Sequence, residues 1–168
     1  GGISYGKESA EVNQLEKVRG LAEFDFGQLQ PLPSSRDEIM AVAKSQPPGS
    51  IVLLGDEATE NRLKSLDLSH FGILHFAVHA ISDTAYPERA SLVLSRSLTG
   101  EEDGLLEERE IRSLRLNAGL VVLSACDTGI GRLKGLEGVA SLVRAFLYAG
   151  AKTVLFSLWA AEDYNTFM

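Results

Sequence analysis

The chain has very little cysteine. Cys126 is the only one in 168 residues, so an internal disulfide and a multi-cysteine zinc site are both excluded. It is then either an inert buried thiol or a reactive one. No apolar run approaches the roughly 18 residues of a membrane span. The opening GGISYGKESAEVNQ has no basic segment followed by an apolar stretch, so no signal peptide is visible. These two absences predict a cytoplasmic location. Positive charge is scarce as well: 16 Lys and Arg stand against 23 Asp and Glu, for a net charge of −7. An acidic surface repels phosphate backbones, which excludes nucleic acid and anionic membranes as direct partners. It favours cationic substrates only weakly at cellular salt.

What is present suits one folded domain over residues 1–168. Hydrophobic residues make up 45% and charged residues 23%, the balance of a soluble globular chain. No internal repeat or low-complexity segment interrupts it. Gly1-Gly2 and a stop at Met168 inside a helical pattern suggest an excised, C-terminally truncated piece.

Along the chain, apolar runs alternate with helical patterns. Ser35 with Glu38 three residues later predicts a capping box, opening a helix whose apolar side is Ile39, Met40, Val42 and Ala43. Pro47-Pro48-Gly49 stops it. Ser50–Leu54 (SIVLL) reads as a buried strand, and Thr59 caps a second helix through about Leu66. Ile73–His79 (ILHFAVH) is the next strand and Leu92–Leu94 a brief third. Leu106–Leu114 reads as a helix, and Leu120–Ser124 (LVVLS) as a fourth strand. Val139, Leu142, Val143, Phe146 and Leu147 fall on one helical stripe. Gly150 is placed for a left-handed cap, and Thr153–Leu158 is the last strand. This alternation implies parallel pairing with helices on both faces, an α/β three-layer sandwich with a mainly parallel central sheet. In such sheets function gathers beyond the carboxyl ends of the strands.

Two strand ends carry chemistry. His79 closes one buried strand and Cys126 follows another. If those strands are parallel neighbours, both side chains emerge at one edge. Attack by a thiol on an amide needs a base to make the thiolate, and imidazole titrates near neutrality. The tetrahedral intermediate needs donors for its oxyanion, and the backbone N–H groups of Cys126 and Ala80 are placed to serve. Glycines 129, 131 and 135 after the cysteine leave room for a substrate backbone.

These residues carry a resemblance. S-A-C-D-T-G at Ser124–Gly129 preceded by LVVL, with H-F-A-V-H at His75–His79, resembles the CHAT family of caspase-like peptidase domains, related to separases and often joined to tetratricopeptide repeats. The likeness continues through PLPSSRDEI, GDEATEN, DGLLEEREI and GLEGVASLVRAFLYAGAKTVLFSLW. The histidine about 50 residues before an A-C dipeptide is also a caspase spacing. The resemblance implies a caspase-like cysteine endopeptidase with Cys126 as nucleophile and His79 as base, needing no cofactor and no metal. It also implies protein or peptide substrates and control by a tetratricopeptide-repeat or other regulatory module. One departure is Ala80, where glycine commonly follows the histidine. The stretch A-A-E-D-Y after Trp159 is similar to the separase region facing a P1 arginine. That comparison makes Asp163 the first P1-pocket candidate and Glu162 the next, a carboxylate favouring guanidinium through a bidentate pair. Asp127 is either a pocket residue or an orienter of the nucleophile's loop.

Competing readings attach to the same residues. The fold with its chemistry lost would be a protein-binding scaffold, a possibility that Ala80 leaves open. Gly129, Gly131 and Gly135 suggest a nucleotide-binding module, but the spacing is G-x-G-x-x-x-G and no acidic partner follows at about 20 residues. His75 is expected to be a core histidine bonded to backbone and His70 a surface residue, with no metal pair formed by His75 and His79. The acidic run Glu101-Glu102-Asp103 and Glu107-Glu108 reads as solvated charge, bordering the substrate cleft or forming a cleavable loop. Trp159 reads as core packing.

Overall fold

The computed structural model describes residues 26–29, 31–81, 89–97, 102–124 and 136–156. Helix α1 spans Pro33–Lys44. It starts two residues before the expected cap because Pro33 takes the first helical turn, where its missing N–H is no loss. Ser35 therefore lies inside the helix and its hydroxyl donates to Leu32 O at 2.6 Å. The predicted Ser35–Glu38 capping box does not form, and Glu38 turns towards the sheet.

Strand β1 (Ile73–Ala77), β5 (Leu120–Ser124) and β6 (Val154–Phe156) make a parallel sheet in the order β1-β5-β6. This is the parallel sheet the sequence predicts. The register pairs Ile73 with Leu120, His75 with Val122 and Ala77 with Ser124. A second sheet, absent from the sequence expectation, is antiparallel: β2 (His79–Ile81), β3 (Ser91–Val93) and β4 (Leu105–Glu107), in that order. The run ILHFAVH is thus two strands, divided at Val78. Leu106 and Glu107, expected to open a helix, instead belong to β4 and pair with β3, and the helix α3 (Glu108–Ser113) begins only after them.

The SIVLL segment forms no β-ladder among the described residues. The turn after it is drawn to the second sheet: Ser95 donates from its hydroxyl to Gly55 O at 2.7 Å and from its amide to Ala58 O at 2.9 Å. Ile51, Val52 and Leu53 then face β1 across a cavity of about 140 Å³. Helix α2 (Glu60–Lys64) is capped as expected, Thr59 accepting from the Arg62 amide at 3.2 Å.

Helix α4 (Leu136–Ala149) packs Leu142, Ala145, Phe146 and Ala149 inward, a stripe rotated from the predicted one so that Leu147 is exposed. The helix lies chiefly against α3. Phe146 is fully buried with its ring centroid 5.4 Å from that of Phe76 on β1. Gly150 ends the helix at φ +114° with its amide bonded to Leu147 O, and Ala151 N bonds Phe146 O. That is the left-handed glycine cap anticipated from sequence. One hydrophobic core joins residues of both sheets, including Phe76, Val78, Ala80, Leu92, Val121 and Phe146.

Candidate active site

The carboxyl ends of β1 and β5 lie side by side. Parallel neighbours run about 4.8 Å apart, and Ala77 is matched with Ser124 at the last rung. His79 is two residues beyond Ala77, and Cys126 is two residues beyond Ser124 in the sequence. Strands β1 and β5 therefore end side by side, at Ala77 and Ser124. Cys126 itself, Asp127, Glu162 and Asp163 lie outside the described residues, as do Gly129, Gly131, Gly135 and Trp159.

His79 opens β2 and is almost fully buried, at 1% exposure. By register it shares a sheet face with Val93, Leu105 and Ile81. The last three pack with Leu29 and Phe26 in a small cluster separate from the main core. The orientation of the next residue follows from the ladder. Leu94 N donates to Gly104 O and Glu108 N to Ala90 O, so the even-numbered residues of β3 face β4. In an antiparallel ladder the alternate residues face the other neighbour. Ser91 and Val93 thus serve β2 through Ile81 and His79, and the Ala80 N–H and C=O project from the opposite edge of β2. The Ala80 side chain stands perpendicular to that direction, buried in the main core. Its Cβ, the departure from glycine, does not lie in the path of the N–H.

A second histidine on β1 behaves differently from expectation. His75 is bonded not to backbone but to Glu38 of α1, Nε2 to Oε1 at 2.7 Å, with both side chains 14% exposed. A carboxylate has only acceptors, so the imidazole Nε2 carries the hydrogen. Ser124, on the same sheet face as His75, also acts to lower the Glu38 pKa. Burial works to raise the Glu38 pKa, but His75 and Ser124 together outweigh it and leave the carboxyl below its ordinary value. His70 is on the surface, as expected, its side chain 78% exposed and Nδ1 3.0 Å from Asp67.

The carboxylates that converge closely enough to hold a cation, among the described residues, are Glu60, Glu102 and Glu110. Their centre is taken by the Lys64 ammonium, which donates to the three at 3.1, 2.9 and 2.9 Å. The acidic run is therefore not all solvated charge, since Glu102 is part of this cluster. Glu60 is fully buried and its other oxygen accepts from Gly104 N at 2.7 Å. Burial pushes its carboxyl up to about 7, with the hydrogen bond from Lys64 opposing and the like charge of Glu110 adding to the rise. Lys64 is held above its ordinary value: burial disfavours its charge, and hydrogen bonds to Glu102, Glu110 and Glu60 more than compensate. The two directions agree physically. One ammonium facing three carboxylates leaves an excess of negative charge, and the most buried acid takes up the proton.

The sequence gives Glu38 only a capping role and gives Glu60 none. A usable signal existed for Glu38, which falls on the inward stripe Ser35, Ile39 and Val42 of α1, where a carboxylate needs a partner.

Residues 7–168 match the family described as CHAT domain. Among curated proteins the chain is similar to tetratricopeptide repeat protein 28 of Mus musculus, 31% identical over 160 residues, and of Homo sapiens, 29% identical over 165 residues. Each match covers 77% of this chain and 6% of the relative, so the chain spans only a small part of the length of these proteins. A parallel sheet whose strand ends carry H-x-x-x-H and S-A-C-D-T-G, matched nearly end to end by one family, leads to a plain assignment: the chain belongs to the CHAT domain family, a caspase-like, peptidase-related group.

Proposed function

We propose that this domain is a cysteine endopeptidase in which Cys126 is the nucleophile and His79 the base. The observation that carries the reading is the in-register parallel pairing of β1 with β5, ending at Ala77 and Ser124. Adjacent strand ends two residues before His79 and Cys126 in the sequence support a meeting of the two side chains there.

The chemistry follows in balanced steps. His79 takes the thiol proton, and the Cys126 sulfur attacks the scissile carbonyl carbon. The carbonyl π pair moves onto oxygen, which accepts hydrogen bonds from the Cys126 and Ala80 amides. As the intermediate collapses the C–N bond breaks, and the imidazolium gives its proton to the departing amine. A water, deprotonated by His79, then cleaves the thioester and restores the thiol. No metal or cofactor enters these steps. Asp163, with Glu162 next, is proposed to face a basic P1 side chain, and Asp127 either joins that pocket or orients the nucleophile's loop. The domain is proposed to act on protein substrates in the cytoplasm as a single unit over residues 1–168. Its likeness to a small part of tetratricopeptide repeat proteins supports a repeat module as its regulator. Among the described residues no helix is long and apolar enough to cross a membrane.

One observation favours a second reading. A base at 1% exposure is not open to substrate as it stands, which suits a protein-binding scaffold that keeps the fold without cleaving. An electrophilic peptide probe separates the two. Labelling of the full-length protein that disappears in both Cys126→Ala and His79→Ala supports the peptidase. Labelling that survives His79→Ala at the wild-type rate removes His79 as base, and no labelling with the regulatory module present supports the scaffold. Equal cleavage after basic and neutral P1 residues would eliminate the Asp163 pocket.

A further inference from the structure

Strand β1 stands at one end of its sheet, in the order β1-β5-β6, so among the described residues no strand pairs with its outer edge. The register fixes which groups point there. Leu120 N donates to Gly72 O, and Ile73 is matched with Leu120, so Gly72, Leu74 and Phe76 serve β5. Alternate residues of a strand turn the other way, and the main-chain N–H and C=O groups of Ile73, His75 and Ala77 project outward. Ala77 is buried, in surroundings where a main-chain donor needs a partner. Beside this edge is the cavity of about 140 Å³, whose lining includes His75 and Ala77 together with Ile39 of α1, Leu53, Leu63 of α2 and Phe76. Apolar cavities of about 150 Å³ admit a benzene-sized group, so this one has room for a leucine side chain or a single phenyl ring. Ile51 and Ile73 also line it and are each 46% exposed, so the cavity opens to solvent between apolar side chains.

We propose that the outer edge of β1 and this cavity form a docking site for an extended peptide carrying an apolar residue. The peptide adds to the edge as a further strand through the main-chain groups of His75 and Ala77, and the apolar side chain fills the cavity. Strand addition takes its affinity from main-chain hydrogen bonds and its selectivity from side-chain pockets, and both halves are present here. The chain's own candidate for this edge, the SIVLL segment, is held off it. The turn that follows is tied to the second sheet through Ser95, which bonds Gly55 O and Ala58 O. SIVLL has no ladder of its own among the described residues, so a peptide entering beside it disrupts no strand pairing. The site runs along the length of β1 and uses neither His79 nor Cys126. It goes beyond the peptidase reading and does not depend on it.

The test uses the full chain and the neutral peptide acetyl-Thr-Val-Leu-Val-Thr-amide, followed by calorimetry and by amide hydrogen exchange. Saturable binding is expected, with exchange at His75 and Ala77 slowed at least about 10-fold in the bound state. A peptide with aspartate in place of leucine would bury a charge in the cavity, and one N-methylated at its three central residues lacks the main-chain donors. Each is expected to bind at least about 10-fold more weakly. Val52→Phe fills the cavity from its half-buried wall and is expected to weaken binding as much. The altered peptides are read on the wild-type protein, so they decide the matter even where Val52→Phe misfolds. Absence of saturable binding at millimolar peptide overturns the site, as does undiminished binding of either altered peptide. Slowed exchange on β6 in place of β1 overturns it too. If exchange at His75 and Ala77 is already as slow in the free protein as on β5, the chain itself occupies the edge and the proposal fails. Every readout is binding, so failure here leaves the roles of Cys126 and His79 untouched, and failure of those roles leaves this site standing.

Discussion

Replacing Glu60 by glutamine should change how stability depends on pH more than how much stability there is. Glu60 is fully buried between Lys64 of α2, Glu102 of the segment before β4 and Glu110 of α3. Its pKa in the fold is about 7, against 4.5 for the free side chain. The folded state thus holds a proton between pH 4.5 and 7 that the unfolded chain has released. Stability from this group is complete below pH 4.5 and declines as pH rises through 7. At about 1.36 kcal/mol per pH unit, the separation would amount to about 3 kcal/mol. Side chains of Lys64, Glu102 and Glu110 are each about a quarter exposed, so water screens the cluster and about 1–3 kcal/mol is the working range. Glutamine has no proton to lose, yet its carbonyl can still accept the Gly104 amide. Urea unfolding of wild type and Glu60→Gln at pH 5 and pH 8 gives the comparison. Subtracting one protein's pH dependence from the other's cancels the other acids, Glu38 included, whose lowered pKa acts in the opposite sense. The wild type should lose about 1–3 kcal/mol more than the variant between the two pH values. A difference independent of pH, or one in which the wild type gains on going to pH 8, would refute the assignment of the shared proton to Glu60.

Three further outcomes follow from packing and charge. Gly150→Ala places a Cβ 2.2 Å from Leu116 O at φ +114°, so it should destabilise by at least about 1–3 kcal/mol, read as a lower urea midpoint with unchanged slope. Phe146→Ala empties a fully buried site against Phe76 and should cost about 3–5 kcal/mol in the same assay. Acidification through the lowered pKa of Glu38 should remove the stability its ionised form supplies, a loss that Glu38→Gln no longer shows in a pH titration of unfolding.

Much of the fold was legible because its signals are local. LVVLS between a turn and a glycine-rich stretch, and the stripe of α4 ending at Gly150, are each decided within about a dozen residues. The second sheet was not legible because its strands are three residues long and its pairing is set by distant partners. In ILHFAVH no glycine, proline or turn residue marks Val78 as the point of transfer. SIVLL has the composition of a strand but no ladder to join, as Ser95 ties its exit elsewhere. At the candidate site, the sequence puts His79 at the close of a parallel strand whereas it opens β2, and the Glu38–His75 and Glu60–Lys64–Glu110 groupings join residues 37 and 46 positions apart. Such contacts depend on tertiary packing that a linear pattern does not encode.

The transfer at Val78 also bears on the reacting groups. On the proposed chemistry the imidazole is carried by one sheet and the thiol's strand by the other, with a single residue, Val78, between the strands that join them. The shared core of Phe76, Val78, Ala80 and Val121 locks those sheets together like two plates clamped along one seam. On that chemistry, the width of the gap between imidazole and sulfur is set by how the side chains along this seam fill it.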